Sequence, residues 1–576
     1  MRTDETDLAP QSDESDESAG VDTPRGSSVS ASAPSAASAT PATGMTGWRT
    51  ALDPQRLPLL ILVFVGGVVS LGLEISGPRL MAPFFGTTQP IWAVQIGTTL
   101  LYLSLGYYIG GRVADRRPDA RLLCVLTTIA AVAAALIPFI SRPILNFSVN
   151  AFSSFNSGDG TAAVGYFAAT LLGVVLLFAI PVTLLGMVSP FAIRLSVKRV
   201  GETGTNAGNL YALSTIGSLV GAFLPAFILI PAWGVRRTIV ALALVLLLAS
   251  LWGLRPQARI GSAAVAVSLL LMIAIPALYS ASLGSLKPQA NLIYEQETLY
   301  NYVQVTQDAQ GTHYLILNEG DAIHSIYNPN QILYIDRGWY SDYLLAAPYF
   351  NENYQPSQTR KLAVVGLAGG TIARQYNAAY KLDRIDGAEL DPAIVSVARK
   401  YFGLTEPNLH VYYGDGRTFI AATKETYDVV AVDAFQQPYM PFQLTTTEFY
   451  NDIKNHLSQQ GVVVIKTGHC GPDHRLMDAL VNTLYASGFA SVYTEEMPGD
   501  AIDSNIIATV SKTSVETLRS NLTQAPSDSL IGTVAPYMLD VVKLAQAQKD
   551  GLVFTDDRAP VEQITDATIL TCVQRG

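Results

Sequence analysis

The chain has 576 residues, 49% hydrophobic and 15% charged, with a mean hydropathy of +0.27; it is too long for one domain and too apolar for an ordinary soluble enzyme. The net charge of −10 is concentrated at one end, because residues 1–30 hold eight acids against Arg2 and Arg25 and so supply −6. The remainder is only mildly acidic, which excludes a basic face for nucleic acid.

Residues 1–50 are rich in Ser, Ala, Thr, Pro and Asp without apolar periodicity, and are expected to be a disordered acidic tail. No basic segment joins an apolar one there, so the tail does not read as a cleavable signal peptide. Residues 51–284 read as a transmembrane helical domain. Apolar runs near 57–73, 91–110, 121–140, 163–187, 208–230, 237–254 and 260–281 each approach the roughly 20 residues that cross a bilayer, about seven in all. Small residues recur within them, as in Gly217-Ser218-Leu219-Val220-Gly221, and permit close helix packing. Arg112, Arg116, Arg117 and Arg121 flank one loop, and Arg194, Lys198 and Arg199 another; the positive-inside rule makes both loops and the N-terminus cytoplasmic. Glu74 and Arg79 close the first run, either as a buried pair on a transport path or as side chains snorkelling from an interfacial helix end.

Residues 285–350 form a small β-rich subdomain, with a hairpin of Tyr302–Val305 and Thr312–Leu317 around turn residues Asp308 to Gly311. Residues 351–515 alternate short apolar runs with longer amphipathic segments, the pattern of buried parallel strands joined by helices. Gly366, Gly369 and Gly370 follow the first of these strands and open a helix, as a close approach to a nucleotide-like ligand requires. Glu389 ends the second strand, where an acid accepts both hydroxyls of a ribose. Asp415 and Gly416 follow the third, placed to meet an adenine amino group. Asp433 ends the strand VVAVD and faces the crevice where open α/β sheets bind ligands. His469, Cys470 and His474 offer three ligands without a fourth, and no metal is expected; capping or surface placement is the simpler role. With Cys124 and Cys572 far away, no disulfide framework is expected either. Residues 516–576 read as a polar helical extension.

This stretch, about residues 295–510, resembles the spermidine synthase (polyamine aminopropyltransferase) family, a branch of the methyltransferase fold. Glu389-Leu390-Asp391 is similar to the family's ribose-binding strand end, Gly414-Asp415-Gly416 to its adenine contact, Asp433 to its catalytic aspartate, and Phe449-Tyr450 to its downstream aromatic pair. Leu317-Asn318-Glu319-Gly320 and Tyr340-Ser341-Asp342-Tyr343 resemble segments of its lid and substrate helix, which makes Glu319, His324 and Asp342 candidate acceptor contacts. Two family aspartates are replaced, by Ala368 and Gln436, so the donor site looks intact and the amine site altered.

The expectation is therefore an α-helical transmembrane bundle followed by a Rossmann-like α/β domain with a small β-hairpin subdomain. The resemblance implies a membrane-anchored enzyme moving an aminopropyl group from decarboxylated S-adenosylmethionine to an amine such as putrescine, with Asp433 catalytic. A methyltransferase using S-adenosylmethionine on a membrane-delivered acceptor, or a non-catalytic transporter or sensor, are the alternatives. The resemblance also implies a homodimer. Seven crossings from an inside N-terminus would put the domain outside, whereas the supply of an adenosyl ligand favours the cytoplasm, the side expected here.

Overall fold

The computed structural model describes residues 57–573, apart from 86–88, 153–161, 198–202, 255–284, 286, 319–322, 336–337, 436–438, 470, 472 and 498–502. The acidic tail and the apolar run 260–281 thus lie outside the described residues. Helices α1 (Leu57–Phe85), α2 (Gln89–Arg116), α3 (Ala120–Phe152), α4 (Ala162–Gly186), α5 (Val188–Ser196), α6 (Thr203–Leu224) and α7 (Val235–Leu254) form the N-terminal bundle. Five stretches, 57–85, 120–148, 167–196, 203–233 and 235–254, are long and apolar enough to cross a bilayer. They share one apolar core, while Leu100, Ile129, Ile180, Phe223, Phe227 and Leu248 are exposed on the outside, as lipid-facing positions would be.

The small residues noted in α6 act as that pattern implies. A Cβ at Gly217 would lie 2.1 Å from the Phe64 carbonyl oxygen, and one at Gly221 2.2 Å from that of Val68. Only glycine lets α6 lie backbone to backbone against α1. A salt bridge of 3.2 Å from Arg194 to Asp115 ties the end of α5 to the end of α2, so the basic loops gather at one end of the bundle.

The remainder is α/β. A four-stranded antiparallel sheet runs in the order β1 (Leu292–Glu297), β2 (Tyr302–Gln307), β3 (His313–Leu317), β4 (Ile323–Tyr327), so the expected hairpin is flanked by a strand on each side. The short helix α8 (Tyr340–Leu344) leads to an eight-stranded sheet. Its elements are β5 (Lys361–Val365), α9 (Thr371–Tyr380), β6 (Arg384–Glu389), α10 (Pro392–Tyr401), β7 (Leu409–Tyr413), α11 (Gly416–Ala422), β8 (Tyr427–Val432), α12 (Thr447–Asn455), β9 (Leu457–Gly468), α13 (Arg475–Ala486), β10 (Ser491–Glu496) and β11 (Asp503–Thr509). Then come α14 (Val515–Leu522), α15 (Leu530–Val541), β12 (Val542–Leu544) and α16 (Val561–Val573), so the C-terminal stretch expected to be helical also supplies an edge strand.

The strand order is β12-β10-β11-β9-β8-β5-β6-β7. Strands β9, β8, β5, β6 and β7 are parallel, and β11, β10 and β12 continue antiparallel. The chain leaves β5 toward β6 and β7, then returns to β8 on the other side of β5. Strand direction of travel reverses there, and open α/β sheets bind ligands outside the carboxyl ends at such a point.

The two parts meet at the β1–β2 turn and where α16 packs on α4. Arg79 of α1 donates to the Leu299 carbonyl, and the Glu297 carboxylate accepts from the Val235 backbone N–H at 2.6 Å, at the first residue of α7. Tyr302 joins the apolar core of the bundle. The end of the bundle that holds the α/β domain is thus the one opposite the basic loops.

Candidate active site

The loop after β5 is shaped by two left-handed glycines. Gly366 (φ +92°) lies so close to β8 that a Cβ would stand 2.3 Å from the Asp433 carbonyl oxygen, and Gly370 (φ +82°) caps α9. Ala368 between them also has a positive φ, +46°. Its N–H points at β6, where it donates to Glu389 Oε2 at 2.9 Å, while Glu389 Oε1 accepts from the Asp391 N–H at 3.0 Å. Gly369 donates its N–H to Ser325 Oγ of β4 at 2.8 Å, which seats the small sheet on the loop.

Glu389 is 8% exposed, and burial raises its pKa to about 7 against the two backbone N–H bonds that favour the carboxylate. Asp415 caps α11, accepting from the N–H groups of Arg417 (2.9 Å) and Thr418 (3.2 Å), with Gln443 Nε2 at 3.4 Å from its other oxygen. Between these acids, Leu390 and Tyr413 are 41% and 51% exposed, and Tyr413 is the register partner of Glu389. They offer apolar surface beside two acceptors, which suits a flat nucleoside base with its ribose.

On the far side of β5, Asp433 leaves the end of β8 and accepts from the Tyr340 hydroxyl at 2.5 Å. Burial raises the pKa of its carboxyl, opposed by the charge of Lys466 and by the Tyr340 bond; burial and the Asp433 charge hold the Tyr340 phenol well above its ordinary value. Tyr340 is positioned from behind by Asn505, whose Nδ2 donates to the Tyr340 carbonyl (3.0 Å) and to the buried Glu495 (3.2 Å). Burial raises the Glu495 pKa to about 8. A carboxylate with an elevated pKa at the switch point is suited to receive a proton from a reacting group.

The structure brings Gly366, Gly369, Gly370, Glu389, Asp415, Gly416 and Asp433 to the same edge of the sheet. The acceptor-side candidates fare differently. Asp342 is fully buried beneath α8, and its carboxylate accepts from the Tyr334 N–H and from Gln375 Nε2, both at 2.5 Å, so this charge serves the protein's own donors. His324 is half-buried on β4. Glu319, Gln436 and Cys470 lie outside the described residues. His469 and His474 stack at 5.1 Å, and no group of three or more metal-ligating side chains occurs among the described residues. Two site residues escape sequence reading: Tyr340, and Lys466 at the end of β9, whose ammonium is 4.2 Å from the Tyr340 ring centroid.

A spermine/spermidine synthase domain family model matches residues 337–516, which makes the C-terminal domain spermidine synthase-like. The chain is 30% identical over 289 residues to a probable polyamine aminopropyl transferase of Bifidobacterium longum (strain NCC 2705), covering 48% of this chain and 62% of that protein. It is 22% identical over 445 residues to polyamine aminopropyltransferase 2 of Aquifex aeolicus (strain VF5), covering 75% of this chain and 83% of that one. That alignment is longer than the stretch from residue 285 to the end, so it reaches into the helical half. Among solved structures, a probable spermidine synthase from Corynebacterium glutamicum ATCC 13032 covers 48% of this chain and 99% of its own at 18% identity, with a TM-score of 0.37. The likeness to spermidine synthases is thus a property of the C-terminal domain, and the chain spans 62% of the length of the Bifidobacterium relative it matches.

Proposed function

We propose that the protein is a membrane-anchored transferase of the aminopropyltransferase type. The observation that carries this reading is the arrangement along one sheet edge: Glu389 and Asp415 on one side of Gly366, and Asp433, held by Tyr340, on the other. The adenosine of decarboxylated S-adenosylmethionine would lie over Glu389, Leu390 and Asp415, with the glycine loop against its sulfonium. An acceptor amine then attacks the aminopropyl carbon bonded to sulfur. The new C–N bond forms as the C–S bond breaks, the C–S electron pair stays on sulfur as neutral 5′-methylthioadenosine, and the amine's proton passes to the Asp433 carboxylate. Alignment of the two reactants supplies much of the rate. The test is release of methylthioadenosine by the purified full chain from the decarboxylated donor with a panel of amines. Formation of S-adenosylhomocysteine from S-adenosylmethionine instead would replace this reading by methyl transfer, and nucleoside binding without any product would replace it by a sensor.

We further infer that the five apolar helices are membrane spans, that α2 (Gln89–Arg116) also runs from one face to the other between the first two of them, and that the domain lies on the face opposite the basic loops, contrary to the cytoplasmic placement expected from ligand supply. Arg112, Arg116, Arg117 and Arg194 mark the cytoplasmic end by the positive-inside rule, and the domain docks at Arg79 and Val235, the other end. With cysteines placed at exposed Pro118 or Ser527 in a cysteine-free background, a membrane-impermeant maleimide applied to intact cells should label only Ser527→Cys. Labelling of Pro118→Cys alone would reverse the assignment.

A further inference from the structure

The parallel pairing of Val432 with Ile465 sets the next residues side by side, Asp433 just beyond β8 and Lys466 still within β9, where it pairs with Asn505 of β11. Lys466 is only 7% exposed. Its ammonium lies over the Tyr340 ring (4.2 Å) and the Phe435 ring (5.2 Å) and is 3.6 Å from Asp503 Oδ1. An aromatic pair with a carboxylate behind it is a good site for a cation, and here the protein's own side chain fills it. The donor nucleoside would lie on the β5–β7 side of Asp433, so this is the side from which the second reactant reaches the aspartate. A diamine bound with one nitrogen at Asp433 would bring its other, protonated nitrogen against the Lys466 ammonium, in surroundings where like charges interact strongly.

Lys466 is itself poorly satisfied. An ammonium has three protons to donate, and among the described residues its closest carboxylate contact is the 3.6 Å one to Asp503, longer than a hydrogen bond. A nearly buried ammonium of this kind keeps protons to donate to an anionic partner.

Resting on the transferase reading above, we propose that Lys466 makes the reactive crevice a site for a ligand carrying both an amine and a carboxylate, the amine directed to Asp433 and the carboxylate to Lys466, and that it excludes diamines. The carboxylate has two sources, an acceptor that is an amino acid rather than a diamine, or a donor that has kept its carboxyl group. Both present the same chemistry to the lysine.

The experiment is calorimetric binding to the full chain in detergent, in two matched pairs. One pair is 4-aminobutyrate against putrescine, with and without 5′-methylthioadenosine. The other is S-adenosylmethionine against its decarboxylated form. The wild type should bind the carboxylate-bearing member at least tenfold more tightly in one pair, and that pair identifies the source. Lys466→Met should remove or invert the preference while leaving methylthioadenosine affinity within threefold; Lys466→Gln, which keeps a polar end, guards against a folding defect in the first variant. Preference of the wild type for the more cationic member in both pairs, equal binding within both pairs, or an unchanged preference in both variants overturns the proposal. Methylthioadenosine itself reports on the donor site. Its failure to bind would count against the transferase reading, and the acceptor pair measured without it would still decide the role of Lys466.

Discussion

Substituting Glu389 by glutamine tests the proposed donor site most directly, because each carboxylate oxygen already has an assigned partner. Oε2 accepts from the Ala368 N–H and Oε1 from the Asp391 N–H. A glutamine can offer its oxygen to only one of them, and its amide NH2 then faces the other donor. The remaining lone pairs of the carboxylate are those available to ribose hydroxyls, and one such charge-assisted bond contributes about 1.5–3 kcal/mol. Glu389→Gln should therefore weaken 5′-methylthioadenosine binding by about 10- to 150-fold at pH 8. The pH dependence gives a second check. Because burial raises this pKa to about 7 from an ordinary 4.5, the folded protein keeps a proton here that the unfolded chain has released. Its contribution to stability is thus full below the lower value and declines as pH rises through 7, by about 3 kcal/mol in all. Nucleoside binding runs the other way, since two hydroxyls require the ionised acceptor. Affinity should rise by up to about 30-fold between pH 5.5 and 8 in the wild type and stay flat in the variant. Calorimetric titration across that range is the assay. Binding of the variant within threefold of wild type, or a pH slope that survives the substitution, would refute the ribose role of Glu389.

Three further perturbations separate the remaining parts. Asp433→Asn should lower turnover by about 10²- to 10⁴-fold while leaving methylthioadenosine affinity within threefold, as expected for a group that receives a proton and does not hold the nucleoside. Tyr340→Phe removes a hydrogen bond that favours the Asp433 carboxylate, so the acid limb of kcat/KM should move to higher pH; an unmoved limb would disconnect the pair. In the bundle, Gly217→Leu forces a side chain against the Phe64 carbonyl, where even a Cβ would stand at 2.1 Å. Overpacking of this kind costs about 1–3 kcal/mol or more, and should lower the thermal midpoint in detergent. Gly111→Leu, where a Cβ meets nothing within 4 Å, is the control and should leave it unchanged.

The donor side of the site was legible in the sequence because its parts are local to strand ends. Gly366, Glu389, Asp415 and Asp433 each follow an apolar run, and a parallel sheet brings such positions to one edge whatever the packing above it. The acceptor side depends on orientation. Tyr340, Ser341 and Asp342 stand side by side in the sequence, and the resemblance marks only Asp342 as an acceptor contact. Successive residues of a helix point about 100° apart, so when Asp342 turns inward to Gln375, Tyr340 is the one that meets Asp433. Lys466 was hidden within GVVVIKTG, which reads as one more buried strand; its closeness to Asp433 comes from the register of β8 on β9, which local pattern does not contain. The link to the bundle was equally invisible. Thr298 Oγ1 (2.5 Å) and Asn301 Nδ2 (3.0 Å) of the β1–β2 turn both donate to Asp391 Oδ2, and the Asp391 N–H holds Glu389. The same turn carries Glu297 and Leu299, the contacts to α7 and α1. The residue that would hold the donor ribose is thus three hydrogen-bonded steps from the helices, through a turn that composition marks only as a polar break. A helical domain joined at that point bears on the donor side of the site, while α16, which packs on α4, carries the Asp566 carboxylate that accepts from the Tyr439 hydroxyl beyond Asp433. Substitutions in the β1–β2 turn should therefore act on nucleoside affinity, and those around Lys466 on the choice of second ligand.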